Sequence, residues 1–251
     1  MKKLIAVAAV AVALFSTAAN AQAIRIGTEG AYEPWNYVDA NGNLAGLDID
    51  VMNELCKRAG LECTFVQTAW DTIIPNLNAG NYDVIAAGMS ITDERKEAIN
   101  FTADYSPPEA SGFMMLESAT VDPANLTGVK IGTQTGTIQD AYATENFATG
   151  NTLLTFDTAS NALADLMAGN IDVILADSSY IDEAVANSGG ALKTSEVTVA
   201  IGGGVGAGLR KADTELLAKL DEALAAAKAD GTIDALITKH FPTRKGPFYV
   251  N

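Results

Sequence analysis

The chain is short of the residues that most catalytic and metal chemistry requires. His240 is its only histidine, and Cys56 and Cys63 are its only cysteines. A Ser-His-Asp relay would have to use His240, which lies near the C-terminus, remote from every other motif. Two cysteines alone do not complete a zinc site. Basic residues are also scarce: 16 Lys and Arg stand against 31 Asp and Glu, a formal charge of −15, or −17 without Lys2 and Lys3. Such a surface repels phosphate backbones and anionic lipid, which argues against nucleic acid or a membrane surface as partner. After the first residues no stretch is long and apolar enough to cross a bilayer. The glycine-rich GTQTGT at 132–137 is not followed by GKS or GKT, which argues against a nucleotide loop.

What is present begins with an export signal. Lys2 and Lys3 precede an apolar stretch from Leu4 to Phe15, and Ala19-Asn20-Ala21 or Ala21-Gln22-Ala23 offers small residues for cleavage. Residues 1–23 are therefore expected to be a secretory signal peptide, with no cysteine at the cleavage site to take a lipid. The expected compartment is the periplasm, where Cys56 and Cys63, in CKRAGLEC, read as one disulfide.

The rest of the chain says the same thing twice. LNAGNYDVIAA at 77–87 matches LMAGNIDVILA at 166–176 in eight of eleven positions, and IRIGT at 24–28 is echoed by VKIGT at 129–133. Between and after these echoes, strand and helix patterns alternate in both halves, which predicts α/β lobes around mostly parallel sheets. Asp83 and Asp172, inside the two echoes, precede the strand core and read as structural. Ser106-Pro107-Pro108-Glu109 is held extended by its prolines, and 197–204 is extended and then glycine-rich. Both look like crossings. The expected division is 24–107 for the first part of lobe 1, 108–200 for lobe 2 and 201–251 for the return to lobe 1, with a two-strand hinge. Ligands of such folds sit in the crevice between lobes.

The text IGTEGAYEPWNY, NGNLAGLDIDVMNELCKRAGLEC, AAGMSITDERKEAINFT, GTQTGTIQDAYA, AGNIDVILAD and GLRKADTELLAKLDEALAAAKADGTIDALITKHF covers nearly all of the chain after the signal. It resembles the periplasmic solute-binding proteins of the polar amino acid ABC transporters. That cluster contains lysine/arginine/ornithine-, histidine-, glutamine- and octopine/nopaline-binding proteins. The resemblance implies a type II periplasmic binding protein fold that binds a free amino acid and hands it to a membrane permease. No cofactor and no metal are expected, and nothing in the sequence gives reason to expect anything but a monomer.

Eight residues carry the expected site. Arg95, in MSITDER, reads by itself as either a solvated helix face or a bidentate carboxylate clamp; the resemblance implies that it holds the ligand α-carboxylate. Ser90 either caps the same helix or bonds the ligand, and the resemblance implies contact, with the backbone of Gly88 facing the α-amino group. Thr137 precedes a helix whose free N–H groups suit the same carboxylate. Asp177 ends the second DVI strand and reads as a helix cap or an ammonium partner; the resemblance implies the latter. Tyr32 and Trp70 fall where the family's stacking aromatics belong. Glu29, right after IGT, matches a position where the family uses an acid for basic or amide side chains. A carboxylate unpaired in a closed cleft favours a cationic ligand: arginine, ornithine, lysine or an opine. Glutamine and histidine remain alternatives. The runner-up from another class is a periplasmic cyclohexadienyl dehydratase-like enzyme, for which Glu29 and Asp177 would have to serve as acid and base. Binding without catalysis is the expected activity.

Overall fold

The echoed segments become equivalent strands of two separate sheets. The computed structural model describes residues 23–250, so the signal peptide lies outside the described residues, save Ala23 at its end. In chain order the elements are β1 (Ile24–Thr28), β2 (Ala31–Tyr32), β3 (Asn36–Val38), β4 (Leu44–Ala45), α1 (Leu47–Ala59), β5 (Cys63–Gln67), α2 (Ile73–Asn78), β6 (Val84–Ile85), α3 (Asp93–Ala98) and β7 (Asn100–Phe101). They continue as β8 (Ser111–Leu116), β9 (Lys130–Gln134), α4 (Ile138–Phe147), β10 (Thr152–Phe156), α5 (Ala159–Met167), β11 (Val173–Asp177), α6 (Ser178–Asn187) and β12 (Leu192–Val199). The last are β13 (Gly208–Leu209), α7 (Thr214–Ala229) and α8 (Thr232–His240).

One sheet runs β5-β1-β6-β13-β7 and the other β10-β9-β11-β8-β12, with a small sheet β2-β3-β4 beside the first. In each large sheet four strands point one way and one is reversed. The reversed strands are β13, antiparallel to β6 and β7, and β8, antiparallel to β11 and β12. Each is the first strand after the chain has crossed from the other sheet. The crossings run side by side: Val205 N–H donates to Ser106 O at 2.9 Å, and the two residues form an antiparallel bridge.

The repeat has a packing reason. In both lobes the aspartate of the DVI segment accepts an N–H at the start of the IGT strand, Arg25 N to Asp83 at 3.1 Å and Lys130 N to Asp172 at 2.7 Å. The residue before each aspartate lies over the IGT glycine. A Cβ on Gly27 would stand 2.6 Å from the Tyr82 ring, and one on Gly132 2.5 Å from Ile171 Cδ1, so neither position accepts a larger residue without displacing its neighbour.

Helices α1, α7 and α8 bury Val51, Met52, Leu55, Leu220, Leu224, Ile233 and Ile237 in one core with Trp35 and Phe241. Gly60, at φ 64°, ends α1 in the left-handed conformation that glycine adopts without a Cβ penalty. The Cys56–Cys63 disulfide then ties the end of α1 to the start of β5. Among the described residues no helix is long and apolar enough to cross a membrane.

Candidate functional site

Side chains at the carboxyl ends of β1, β6, β9 and β11 converge on the crevice between the sheets, where open α/β sheets place their ligands. A small cavity lies there. All eight residues expected from the sequence line it: Glu29, Tyr32, Trp70, Gly88, Ser90 and Arg95 from one lobe, Thr137 and Asp177 from the other. Gln134, Ile138 and Gln139 complete the second wall, with Ala87 on the first.

Arg95 sits in the first turn of α3. Thr92 caps that helix, its hydroxyl accepting the Arg95 N–H at 3.1 Å, so the cap is Thr92 and not Ser90. The guanidinium donates to Ser90 O at 2.9 Å and lies 5.2 Å from the Trp70 ring centroid. Burial pulls its pKa down to about 10, opposed by Asp177 and Glu94. Across the crevice, α4 begins at Thr137, whose hydroxyl accepts the Asp140 N–H at 3.1 Å and donates to Gln134 O at 2.8 Å. The hydroxyl is thus spent on capping. The backbone N–H groups of Ile138 and Gln139 make no bond among the described residues and are the donors that α4 offers to an anion.

Asp177 stands where a helix cap would, but its carboxylate caps nothing. It accepts from Tyr32 Oη at 2.8 Å and from Gln139 Nε2 at 2.8 Å. Burial raises its pKa, against the pull of Tyr32, Gln139 and Arg95. Glu29, 6% exposed, accepts from Gln134 Nε2 at 2.7 Å, and burial lifts its pKa to about 7.

Tyr32 stacks on Tyr180, with centroids 4.6 Å apart, and Trp70 lies against the Arg95 guanidinium, while both rings line the cavity. Trp70 lies before α2, which starts at Ile73, because its segment turns before becoming helical. Gly88 spends its N–H on Asp48 Oδ2 at 2.7 Å, leaving its carbonyl as the polar group for the cavity. Asp48, fully buried, also accepts from Asn36 at 2.8 Å and from Tyr105 at 2.5 Å, and so fixes the Gly88 turn.

Among the described residues Arg95 has no carboxylate within ion-pair distance, and Glu29 and Asp177 have no cation within it. The cavity therefore holds one cationic and two acidic side chains in a weakly solvated space, none of them in an ion pair among the described residues, with burial favouring the neutral form of both acids. Unpaired buried charge is costly, so a complementary ligand supplies one negative and two positive groups.

Residues 24–243 match the family model of the bacterial extracellular solute-binding proteins, family 3. The chain belongs to that family. The L-arginine-binding protein of Pseudomonas aeruginosa is 36% identical over 252 residues, covering 96% of this family 3 chain and 97% of its own. The histidine-binding periplasmic protein of Salmonella typhimurium is 36% identical over 236 residues, covering 89% of each. A solved structure from Silicibacter pomeroyi, a periplasmic His/Glu/Gln/Arg/opine family-binding protein in complex with lysine, is 45% identical with a TM-score of 0.82. It covers 90% of this chain and 100% of its own.

Gln134 and Gln139 escaped the sequence reading. The repeat itself carried a signal for the first: IGTE at 26–29 aligns with IGTQ at 131–134, which puts Gln134 in the place that Glu29 holds in the other lobe.

Proposed function

We propose that this protein captures a free basic amino acid, arginine foremost, between its lobes and delivers it to the membrane permease of an ABC importer. The observation that carries the reading is the charge inventory of the cavity. Arg95 and the α4 N-terminus suit an α-carboxylate, Asp177 and the Gly88 carbonyl an α-ammonium, and Glu29 a second cation at the end of the side chain. A neutral side chain such as that of glutamine leaves Glu29 without a counter-ion. The relatives that bind arginine, histidine and lysine support the same class.

The lobe limits 24–107, 108–200 and 201–251 are part of this reading, supported by the sheet to which each strand belongs. So are a signal peptide cleaved on export to the periplasm and a monomer that binds its ligand without turnover. A thermal-shift series with the twenty amino acids, ornithine, citrulline and opines tests it, since a ligand that binds only the folded state raises its melting temperature. Arginine, ornithine or lysine is expected to give the largest shifts. A shift with glutamine alone refutes the cationic assignment, and chemical conversion of the bound ligand, followed by NMR, refutes binding without catalysis.

A further inference from the structure

Glu29 and Gln134 occupy equivalent places in the two IGT repeats, and they meet. Gln134 Nε2 donates to Glu29 Oε1 at 2.7 Å and to Asp157 O at 3.1 Å. A carboxylate and a carbonyl both demand a donor, so the amide nitrogen must face them and the amide oxygen must face away. Gln134 Oε1 and Glu29 Oε2 accept no bond among the described residues, and neither is among the side-chain atoms sealed from solvent without a partner. Both residues line the cavity and are almost fully buried, at 7% and 6% exposure.

We propose that Gln134 is a specificity-determining residue that selects a planar guanidinium over a compact ammonium. The proposal rests on the basic amino acid reading and refines it. With Oε1 already accepting from Gln134, Oε2 is the Glu29 oxygen left without a partner among the described residues. The pocket thus presents two acceptors on different residues, Glu29 Oε2 from one lobe and Gln134 Oε1 from the other. A guanidinium carries five N–H donors in a rigid plane and is weakly hydrated, so it bridges two separated acceptors with little loss of solvation. An ammonium is a strongly hydrated point charge, and more of its hydration is lost when it enters the same space. Bridging the acceptors also ties the lobes together through the ligand, so the guanidinium end contributes to closure as well as to recognition.

Calorimetric titration of arginine and lysine into the parent protein and into Gln134→Leu tests this. The parent should bind arginine more tightly than lysine, and Gln134→Leu should reduce arginine affinity by about tenfold more than lysine affinity, the weight of a hydrogen bond to a charged group. Gln134→Met, unbranched and apolar, provides a second variant if leucine disturbs the fold, which thermal melting reports. Losses equal for the two ligands within about twofold would make Gln134 a tie between lobes and nothing more. A parent preference for lysine overturns the inference as well, while leaving the basic amino acid reading intact. A parent that binds neither ligand refutes that reading itself.

Discussion

Trp35 Nε1 donates to Ser179 Oγ at 2.9 Å, joining an indole of one lobe to the first turn of α6 in the other. Ser179 in turn donates to Glu109 Oε1 at 2.6 Å on the first crossing segment. The indole backs the cavity turn, since a Cβ on Gly88 would approach it to 3.3 Å, and it packs on Phe241 with centroids 4.8 Å apart. A contact between the lobes thus sits immediately behind the cavity without lining it.

Trp35→Phe keeps the aromatic packing and removes the donor. A single hydrogen bond of this kind contributes about 1 kcal/mol, so ligand affinity is expected to fall roughly fivefold with selectivity unchanged. Stopped-flow measurement should find the loss in faster dissociation.

Arg95→Ala should weaken the cognate amino acid by about 2–5 kcal/mol, because the ligand carboxylate would be left in the cavity without its partner. Arg95→Lys should restore only part of the loss, since an ammonium lacks the planar fork. Calorimetry gives both values, and a melting curve close to the parent's confirms that the fold survives.

Glu29 makes ligand binding and stability respond to pH in opposite directions. Asp71 and Tyr180 are the ionisable groups that act on it or feel its charge, with the neutral Gln134 as donor. Its pKa is raised from 4.5 to about 7 by burial. The folded protein therefore holds this proton more tightly than the unfolded chain. The stabilisation is complete below about 4.5 and is lost as pH rises through about 7, a total of about 3 kcal/mol. Glu29→Gln should accordingly raise the melting temperature of the free protein at pH 8 relative to the parent. A cationic ligand needs the carboxylate, so arginine affinity should fall by up to about tenfold per unit as pH drops below 7. Titrations from pH 5 to 8 check the slope, which should be shallower in Glu29→Gln.

Replacing Cys56 and Cys63 together by alanine opens a loop of sequence separation 7. Loop entropy places the cost at about 2–3 kcal/mol. Denaturant unfolding should show that loss, and the order of ligand preference should not change, because neither cysteine lines the cavity.

The repeated IGT and DVI segments predict two lobes with strand ends at one crevice, while the roles of Glu29, Arg95 and Asp177 there are expected from the resemblance, since Arg95 alone reads as a solvated helix face as well. The strand ends are local facts: a strand's residue pattern sets where it ends, and a parallel sheet brings those ends together. The partner of each charge is not local. Glu29 and Gln134 are 105 residues apart, Trp35 and Ser179 144, and Gly88 and Asp48 40. Which donor reaches which acceptor depends on how the lobes meet and on which groups burial deprives of water. The sequence, together with the resemblance it carries, determined the two-lobed fold and pointed to eight of the twelve residues that line the cavity. Only the tertiary structure decided that Thr92 caps α3, that Tyr32 stacks on Tyr180, and that Gln134 holds one oxygen of Glu29. Each of these is a competition between nearby polar or aromatic groups, and three-dimensional distance settles it.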